Sequence, residues 1–224
     1  MTGAEPEGPA VAGGRPRVAV LDYGIGNLRS AQRGLERAGA DAHLTADPDE
    51  IAAADGVVLP GVGAFGACMR ALADTGLDVE ARKAAASGRP FLGICVGMQL
   101  LYEASEESPG VEGLGILPGV IRWLPDTVKR PQMQWNMIAT VRGADGGGTV
   151  HPLMRGMDGA WLYFVHSLAA DDPAHAIATT EYGATVVAAS ARDNVMATQF
   201  HPEKSDKAGL RLLQNYVKLL EGAA

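Results

Sequence analysis

Short apolar runs alternate with stretches of helical period along the first half of the chain. Arg17–Leu21 (RVAVL) has the continuous apolar character of a buried strand. From Asn27 to Ala38, Leu28, Ala31, Leu35 and Ala38 share one helical face, Asn27 is placed to cap, and Gly39 to terminate. Ala42–Thr45 is a weaker strand, and Asp47 precedes a short helix with Pro48 in its first turn. Gly56–Leu59 (GVVL) is the next strand, followed by the glycine-rich loop Gly61–Gly66. Helical patterns follow at Ala67–Ala73 and Leu77–Ser87, then the strand Phe91–Ile94 and a helix over Met98–Ser105. Such alternation with short connections predicts an α/β fold, a mostly parallel central sheet flanked by helices.

The second half changes character. Val120–Leu124, Trp135–Val141, Trp161–Ser167, Ala176–Tyr182, Thr185–Ser190 and Val195–Phe200 pattern as strands, with turn residues at Gly143–Gly148 and Tyr182–Gly183. These strands predict additional antiparallel pairing in the C-terminal half. A closing helix spans about Ser205 to Leu220, with Ser205 as cap and Leu210, Leu213, Val217 and Leu220 as its apolar stripe.

Composition narrows the function classes. With 224 residues and 47% hydrophobic positions, the chain suits one α/β domain, expected over 17–222. Residues 1–16, rich in Gly, Pro, Ala and Glu, are expected to be a disordered tail rather than a signal peptide. A net charge of −7 argues against a nucleic-acid-binding surface, and no apolar run reaches membrane-spanning length. Only Cys68 and Cys95 are present, without zinc-site spacing, which fits a reduced cytoplasmic protein better than a disulfide scaffold.

The strongest chemistry lies at Cys95. Gly93-Ile94-Cys95-Val96-Gly97 joins a strand to a helix in the G-x-C-x-G form of a nucleophile elbow. A tight turn there crowds the backbone, hence the flanking glycines. It lifts the thiol above the sheet edge, the start of the next helix favours the thiolate, and Val96 N–H is placed for an oxyanion. An ordinary buried cysteine between glycines is the competing reading of the pentapeptide.

A nucleophilic thiol needs a base. His201 follows the strand Val195–Phe200 in Gln199-Phe200-His201-Pro202-Glu203. Pro202 holds His201 extended, and Glu203 can then point to the same side and orient the imidazole. A surface loop entering the last helix would look the same. His43, His151 and His175 sit in a poor strand, a turn and a polar loop; His166 ends a strand in Tyr163–Ser167 and is placed to line a pocket. Gly61-Val62-Gly63-Ala64-Phe65-Gly66 matches G-x-G-x-x-G, but no acidic residue ends the next strand, so dinucleotide binding is not expected. The better reading is a loop beside the elbow that supplies a second oxyanion N–H, with Gly63 allowing close approach of substrate.

Taken together, these segments resemble the class I (triad) glutamine amidotransferases. The resemblance is carried by Leu21–Asn27 (LDYGIGN), Pro60–Phe65 (PGVGAF), Gly93–Leu101 (GICVGMQLL), Tyr163–Ser167 (YFVHS) and Thr198–Ser205 (TQFHPEKS), and runs from about Val18 to Leu220. Within the class it is closest in character to the glutaminase-subunit family of imidazole glycerol phosphate synthases. That family often has P-H-M-G-W-N where this chain has Pro131-Gln132-Met133-Gln134-Trp135-Asn136.

The resemblance implies hydrolysis of L-glutamine by Cys95, His201 and Glu203, an oxyanion hole from Val96 and Gly63, and substrate contacts at Gln99, Gly61, His166 and Ser167. It implies neither metal nor organic cofactor. It implies a heterodimer with a (β/α)8-barrel synthase subunit in histidine biosynthesis, docked near Tyr23–Asn27, Gln132–Asn136 and Ser167. A glutaminase serving pyridoxal phosphate or folate synthesis, and a non-enzymatic α/β interaction module, are the alternatives. The first requires a different synthase partner, and the second a Cys95 no more reactive than Cys68.

Overall fold

A computed structural model describes residues 14–143 and 148–222. The expected tail therefore lies largely outside the described residues, as do residues 144–147 of the Gly143–Gly148 turn. The elements run β1 (Arg17–Leu21), α1 (Leu28–Ala38), β2 (Asp41–Thr45), α2 (Pro48–Ala53), β3 (Gly56–Gly61), α3 (Phe65–Thr75), α4 (Leu77–Ala86), β4 (Phe91–Cys95) and α5 (Val96–Leu100). They continue as β5 (Ala104–Ser105), β6 (Val120–Trp123), β7 (Gln132–Thr140), β8 (Trp161–His166), β9 (Leu168–Ala170), β10 (Ala176–Glu181), β11 (Thr185–Arg192), β12 (Val195–Thr198) and α6 (Asp206–Glu221).

Nine strands form one sheet in the order β2-β1-β3-β4-β12-β11-β10-β7-β8. From β2 to β12 neighbours are parallel, and from β12 to β8 they are antiparallel, so the α/β expectation and its antiparallel extension both hold. β5, β6 and β9 make a separate small sheet. β4 is buried along its whole length, as a parallel strand covered by helices on both faces must be. Its register sets Gly61 beside Cys95 on one side and Thr198 beside Ile94 on the other.

Several local expectations change for physical reasons. The helix expected over Met98–Ser105 stops at Leu100, because backbone N–H groups of Leu114, Ile116 and Gly115 bond the carbonyls of Leu100, Leu101 and Tyr102. Those carbonyls are turned to the returning loop instead of to a further helical turn. α3 starts at Phe65 rather than Ala67, and its first free N–H groups are taken by side chains from a distant loop. Phe65 N donates to Glu107 Oε2 at 2.6 Å and Gly66 N to Ser108 Oγ at 3.1 Å. β7 begins at Gln132, earlier than Trp135, because it pairs with β8 from Gln132↔His166 onward.

Capping follows the sequence in part. Asp47 Oδ1 accepts from Asp49 N at 2.8 Å, and Gly39 ends α1 in the left-handed region. Asn27 and Ser205 stand at the cap positions of α1 and α6 without side-chain caps. Ser205 Oγ instead donates to His201 O at 2.6 Å and accepts from Tyr163 N at 3.0 Å. α6 buries Leu212, Leu213, Tyr216, Val217 and Leu220, while Leu210 is only half-buried. Both cysteines are free and buried, so Cys68 and Cys95 form no disulfide.

The first turn of α6 is pressed against the turn that carries the candidate base. A Cβ on Gly209 would lie 1.9 Å from Pro202 O, which is backbone and cannot step aside. Gly209→Ala is therefore expected to destabilise the fold by about 3 kcal/mol despite the better helix propensity of alanine. Denaturant unfolding of the two proteins measures this; equal or greater stability of the variant would contradict the packing described.

Candidate active site

The end of β4 is backbone-strained at one residue. Cys95 adopts φ 56°, ψ −113°, a region a side chain rarely enters. The turn is possible because its flanks lack Cβ atoms. A Cβ on Gly97 would meet Leu59 O at 1.8 Å, and one on Gly93 would meet Gly97 O at 2.9 Å. The elbow expected from G-x-C-x-G is thus present, with α5 starting at Val96. α5 is only five residues long, so the field at its start is that of one buried turn rather than a long macrodipole.

β12 lies next to β4 and parallel to it, so His201 emerges at the same sheet edge as Cys95. His201 is extended, φ −98° and ψ 97°, as a residue before proline should be. Pro202–Lys204 is not extended but a single 3-10 turn, and this turn brings Glu203 back under the ring. His201 Nδ1 and Glu203 Oε1 are 2.7 Å apart, with both side chains almost wholly buried. Asn27 Nδ2 donates to the same carboxylate oxygen at 3.4 Å, which is what it does instead of capping α1. His201 N donates to Tyr163 O at 3.0 Å, fixing the segment to β8.

His201 Nε2 is buried and makes no hydrogen bond. The neighbour acting on it is the Cys95 thiol. Burial, the largest single influence, pushes the imidazolium toward deprotonation. Cys95 and Glu203 together outweigh it and raise His201 from an ordinary 6.5 to about 9. Nδ1–H thus points at Glu203 and Nε2 at sulfur, the arrangement of a base oriented by a carboxylate.

Cys95, His201, Val96, Gly63, Gln99, His166 and Ser167 share a cavity of about 340 Å³, together with Val62, Glu107, Pro131, Val165, Leu168 and Lys204. Gly61 is not in this lining. It ends β3 beneath the elbow, where a Cβ would meet Gly97 N at 2.7 Å. Gly63, at φ +92°, sits in the loop between β3 and α3. The G-x-G-x-x-G segment leaves no free helix start for a phosphate, since Glu107 and Ser108 occupy the first N–H groups of α3.

His166 is only 5% exposed, and its environment keeps it neutral. Burial pushes it down to about 4; the bond to Leu168 O opposes this, and the nearby His201 reinforces it. His166 Nδ1–H donates to Leu168 O at 2.8 Å. The Gln132 carboxamide oxygen lies 2.8 Å from Nε2. Because Nε2 of a neutral ring with that tautomer can only accept, hydrogen-bond chemistry favours the amide turned over, with its nitrogen toward the ring. This orientation also satisfies Gln132 Nε2, which is otherwise buried without a partner. Gln132 was expected on a docking surface; it is fully buried because β7 pairing points it inward.

Glu107, Lys204 and Gln199 complete the site without a motif of their own. Glu107 and Lys204 bring opposite charges to the cavity. Gln199 lies inside the TQFHPEKS segment, one residue before Phe200, and is fully buried.

An elbow cysteine with a buried His–Glu pair on the next parallel strand is the constellation of a triad amidotransferase. The chain belongs to the class-I glutamine amidotransferase family, whose sequence profile matches residues 19–219. Within that class it groups with HisH. It is similar to imidazole glycerol phosphate synthase subunit HisH of Synechococcus elongatus, 49% identical over 93% of this chain and 95% of that protein. The HisH of Symbiobacterium thermophilum is 45% identical, covering 91% and 94% of the two chains. That of Methanothermobacter thermautotrophicus is 44% identical, over 91% and 98%. Among solved structures, one titled glutamine amidotransferase superposes with TM-score 0.70 at 19% identity, covering 91% and 98%. PurLQS from Thermotoga maritima does so at 0.69 and 20%, with the same coverage. At that identity the structural likeness speaks for the fold.

The raised His201 value has a testable sign. A histidine whose value is higher folded than unfolded adds stability that is complete below about pH 6.5 and is lost as pH rises through about 9. Cys95→Ala removes one of the two groups that raise it, leaving burial less opposed. In an NMR titration of the His201 ring, the midpoint is expected to fall in Cys95→Ala relative to the parent. An unchanged or higher midpoint would mean that sulfur and imidazole do not interact.

Proposed function

We propose that the chain hydrolyses L-glutamine to glutamate and ammonia and passes the ammonia to a synthase subunit that makes imidazole glycerol phosphate in histidine biosynthesis. The observation that carries this reading is the strained Cys95 beside a buried His201–Glu203 pair on the adjoining strand. His201 holds the proton that sulfur gives up, and the Cys95 thiolate attacks the side-chain carboxamide carbon. The oxyanion forms against Val96 N–H and a backbone N–H at Gly63. His201 returns the proton to the departing ammonia, leaving a γ-glutamyl thioester. Water, deprotonated by His201, then attacks the thioester, and glutamate leaves with the thiolate regenerated. Glu203 keeps the imidazole in one tautomer throughout, with Asn27 holding the carboxylate.

The cavity suits a zwitterionic amino acid. Glu107 offers a carboxylate for the α-ammonium group and Lys204 an ammonium for the α-carboxylate. His166, neutral at physiological pH, adds no second positive charge near the scissile amide. Among the described residues no three acidic, histidine or cysteine side chains gather as a metal site, and the mechanism requires none. No described helix is long and apolar enough to cross a membrane.

The partner we propose is a (β/α)8-barrel synthase. Its docking face is the outer side of the β7–β8 ribbon, where Met133, Trp135, Met137 and Trp161 are 63%, 45%, 51% and 57% exposed. Cross-strand pairing gathers them on one face, Met133 opposite Val165, Trp135 opposite Tyr163 and Met137 opposite Trp161. Apolar exposure on this scale at a sheet edge marks an interaction surface. Val165 on this ribbon also lines the active-site cavity, so a protein seated here would cover the cavity mouth and confine ammonia. Tyr23, expected in the docking segment, is instead buried with its hydroxyl donating to Pro60 O at 2.8 Å.

Glutamate release is expected to be slow for the isolated chain and to rise with the barrel subunit. In Cys95→Ala it should fall by at least about 10³-fold, while the mutant complex still makes product from ammonium salt. Retention of glutamine-dependent turnover in Cys95→Ala would overturn the reading. Trp135→Ala with Met137→Ala is expected to weaken binding to the synthase by about 10- to 100-fold. The same double variant should leave basal glutaminase activity within about twofold, measured by titrating partner into a glutamate-release assay.

A further inference from the structure

Gln199 is fully buried, lies directly after β12, and has no part in the triad. Its amide nitrogen is 3.9 Å from Cys95 Sγ, within reach of a hydrogen bond to sulfur. A side-chain amide can usually be turned over, which would present oxygen instead. Here the surroundings forbid it. The carbonyl of Leu168 can only accept. It takes one hydrogen from His166 Nδ1 at 2.8 Å and one from Gln99 Nε2 at 3.2 Å. The Gln99 nitrogen therefore faces inward, and its second hydrogen goes to Gln199 Oε1 at 3.0 Å. With its oxygen so engaged, Gln199 has only its nitrogen to turn toward Cys95.

We propose that Gln199 is a catalytic residue that donates an N–H to the Cys95 sulfur and favours its thiolate, with its polarity fixed by the chain Leu168 carbonyl, Gln99, Gln199. The inference rests on Cys95 being the nucleophile of the proposed reaction. Opposing it is Val165 O, also 3.9 Å from the sulfur, which can accept from a thiol but only repels a thiolate. The sulfur thus lies between one group that stabilises its neutral form and one that stabilises its anion. A buried donor to an anion is worth more than a neutral hydrogen bond, because no water competes for either partner. The chain also gives Gln99 a second task besides lining the substrate cavity: it holds Gln199 the right way round.

The test reads the ionisation of sulfur, not turnover. Cys95 alkylation by iodoacetamide is followed against pH in the full chain by peptide mass spectrometry. Gln199→Met keeps the side-chain length and removes the donor. The pH of half-maximal alkylation is expected to rise by about one unit in that variant, and kcat for glutamate release to fall more than KM changes. Gln99→Met leaves Gln199 in place but frees its amide to turn, and a smaller rise in the same direction is expected. The unaltered protein provides a check that needs no variant: the side-chain ¹⁵N resonance of Gln199 should titrate together with Cys95 alkylation. An alkylation profile unchanged in both variants, or a Gln199 resonance insensitive to the ionisation of Cys95, would overturn the proposal. Those results would leave the assignment of Cys95 as nucleophile standing, since that depends on Cys95→Ala.

Discussion

The site depends on one pairing, the parallel ladder between β4 and β12. Ile94 stands beside Thr198, so the two strands end together and their next residues leave the sheet at one edge. Over a hundred positions separate Cys95 from His201, and no local interaction could bring them together. Parallel neighbours give this result whenever a nucleophile and a base each follow a strand end, the position where open α/β sheets bind ligands. Had β12 joined the sheet in the opposite sense, His201 would sit at the far end of the strand.

Around that pairing the structure holds a strained backbone and a set of buried polar groups. Positive φ at Cys95 costs on the order of 1–3 kcal/mol, and it persists because β4 is bonded on both sides and Gly93 and Gly97 admit the close approach of neighbouring carbonyls. The polar groups are satisfied mostly by one another. Glu203 is met by His201 and Asn27, His166 by Leu168 O and Gln132, Gln99 by Leu168 O and Gln199. Each bond fixes which atom its neighbour can offer, so the site is ordered by hydrogen-bond polarity as much as by shape. His201 Nε2 and Glu203 Oε2 stand outside this mutual satisfaction, the first being the ring nitrogen left free for the sulfur.

Much of this was legible in the sequence because the chemistry constrains residue type. G-x-C-x-G announces an elbow since only glycine fits beside backbone oxygens, and the alternation of strands and helices announces the parallel half of the sheet. The helix after Cys95 was over-extended because periodicity cannot show that Leu114–Ile116 will take its carbonyls. Glu107 was invisible for a similar reason: its role is to bond Phe65 N and line the cavity, and neither leaves a local pattern. Gln199 lies in the TQFHPEKS segment but carries no local signal, because its importance arises from Gln99 and Leu168, which are near only after folding. Gln132 was misplaced at the surface because β7 starts earlier than its aromatic residues suggest, and the start sets which face each residue takes.

The central claim is that Cys95 and His201 act as one unit across the β4–β12 edge. Reaction of the full chain with a diazoketone analogue of glutamine, quantified by mass spectrometry at each cysteine, measures this most directly. The account predicts one adduct per chain, on Cys95, with Cys68 untouched and the labelling rate sharply reduced in His201→Asn. Equal labelling of Cys68, or a rate indifferent to the loss of His201, would contradict it.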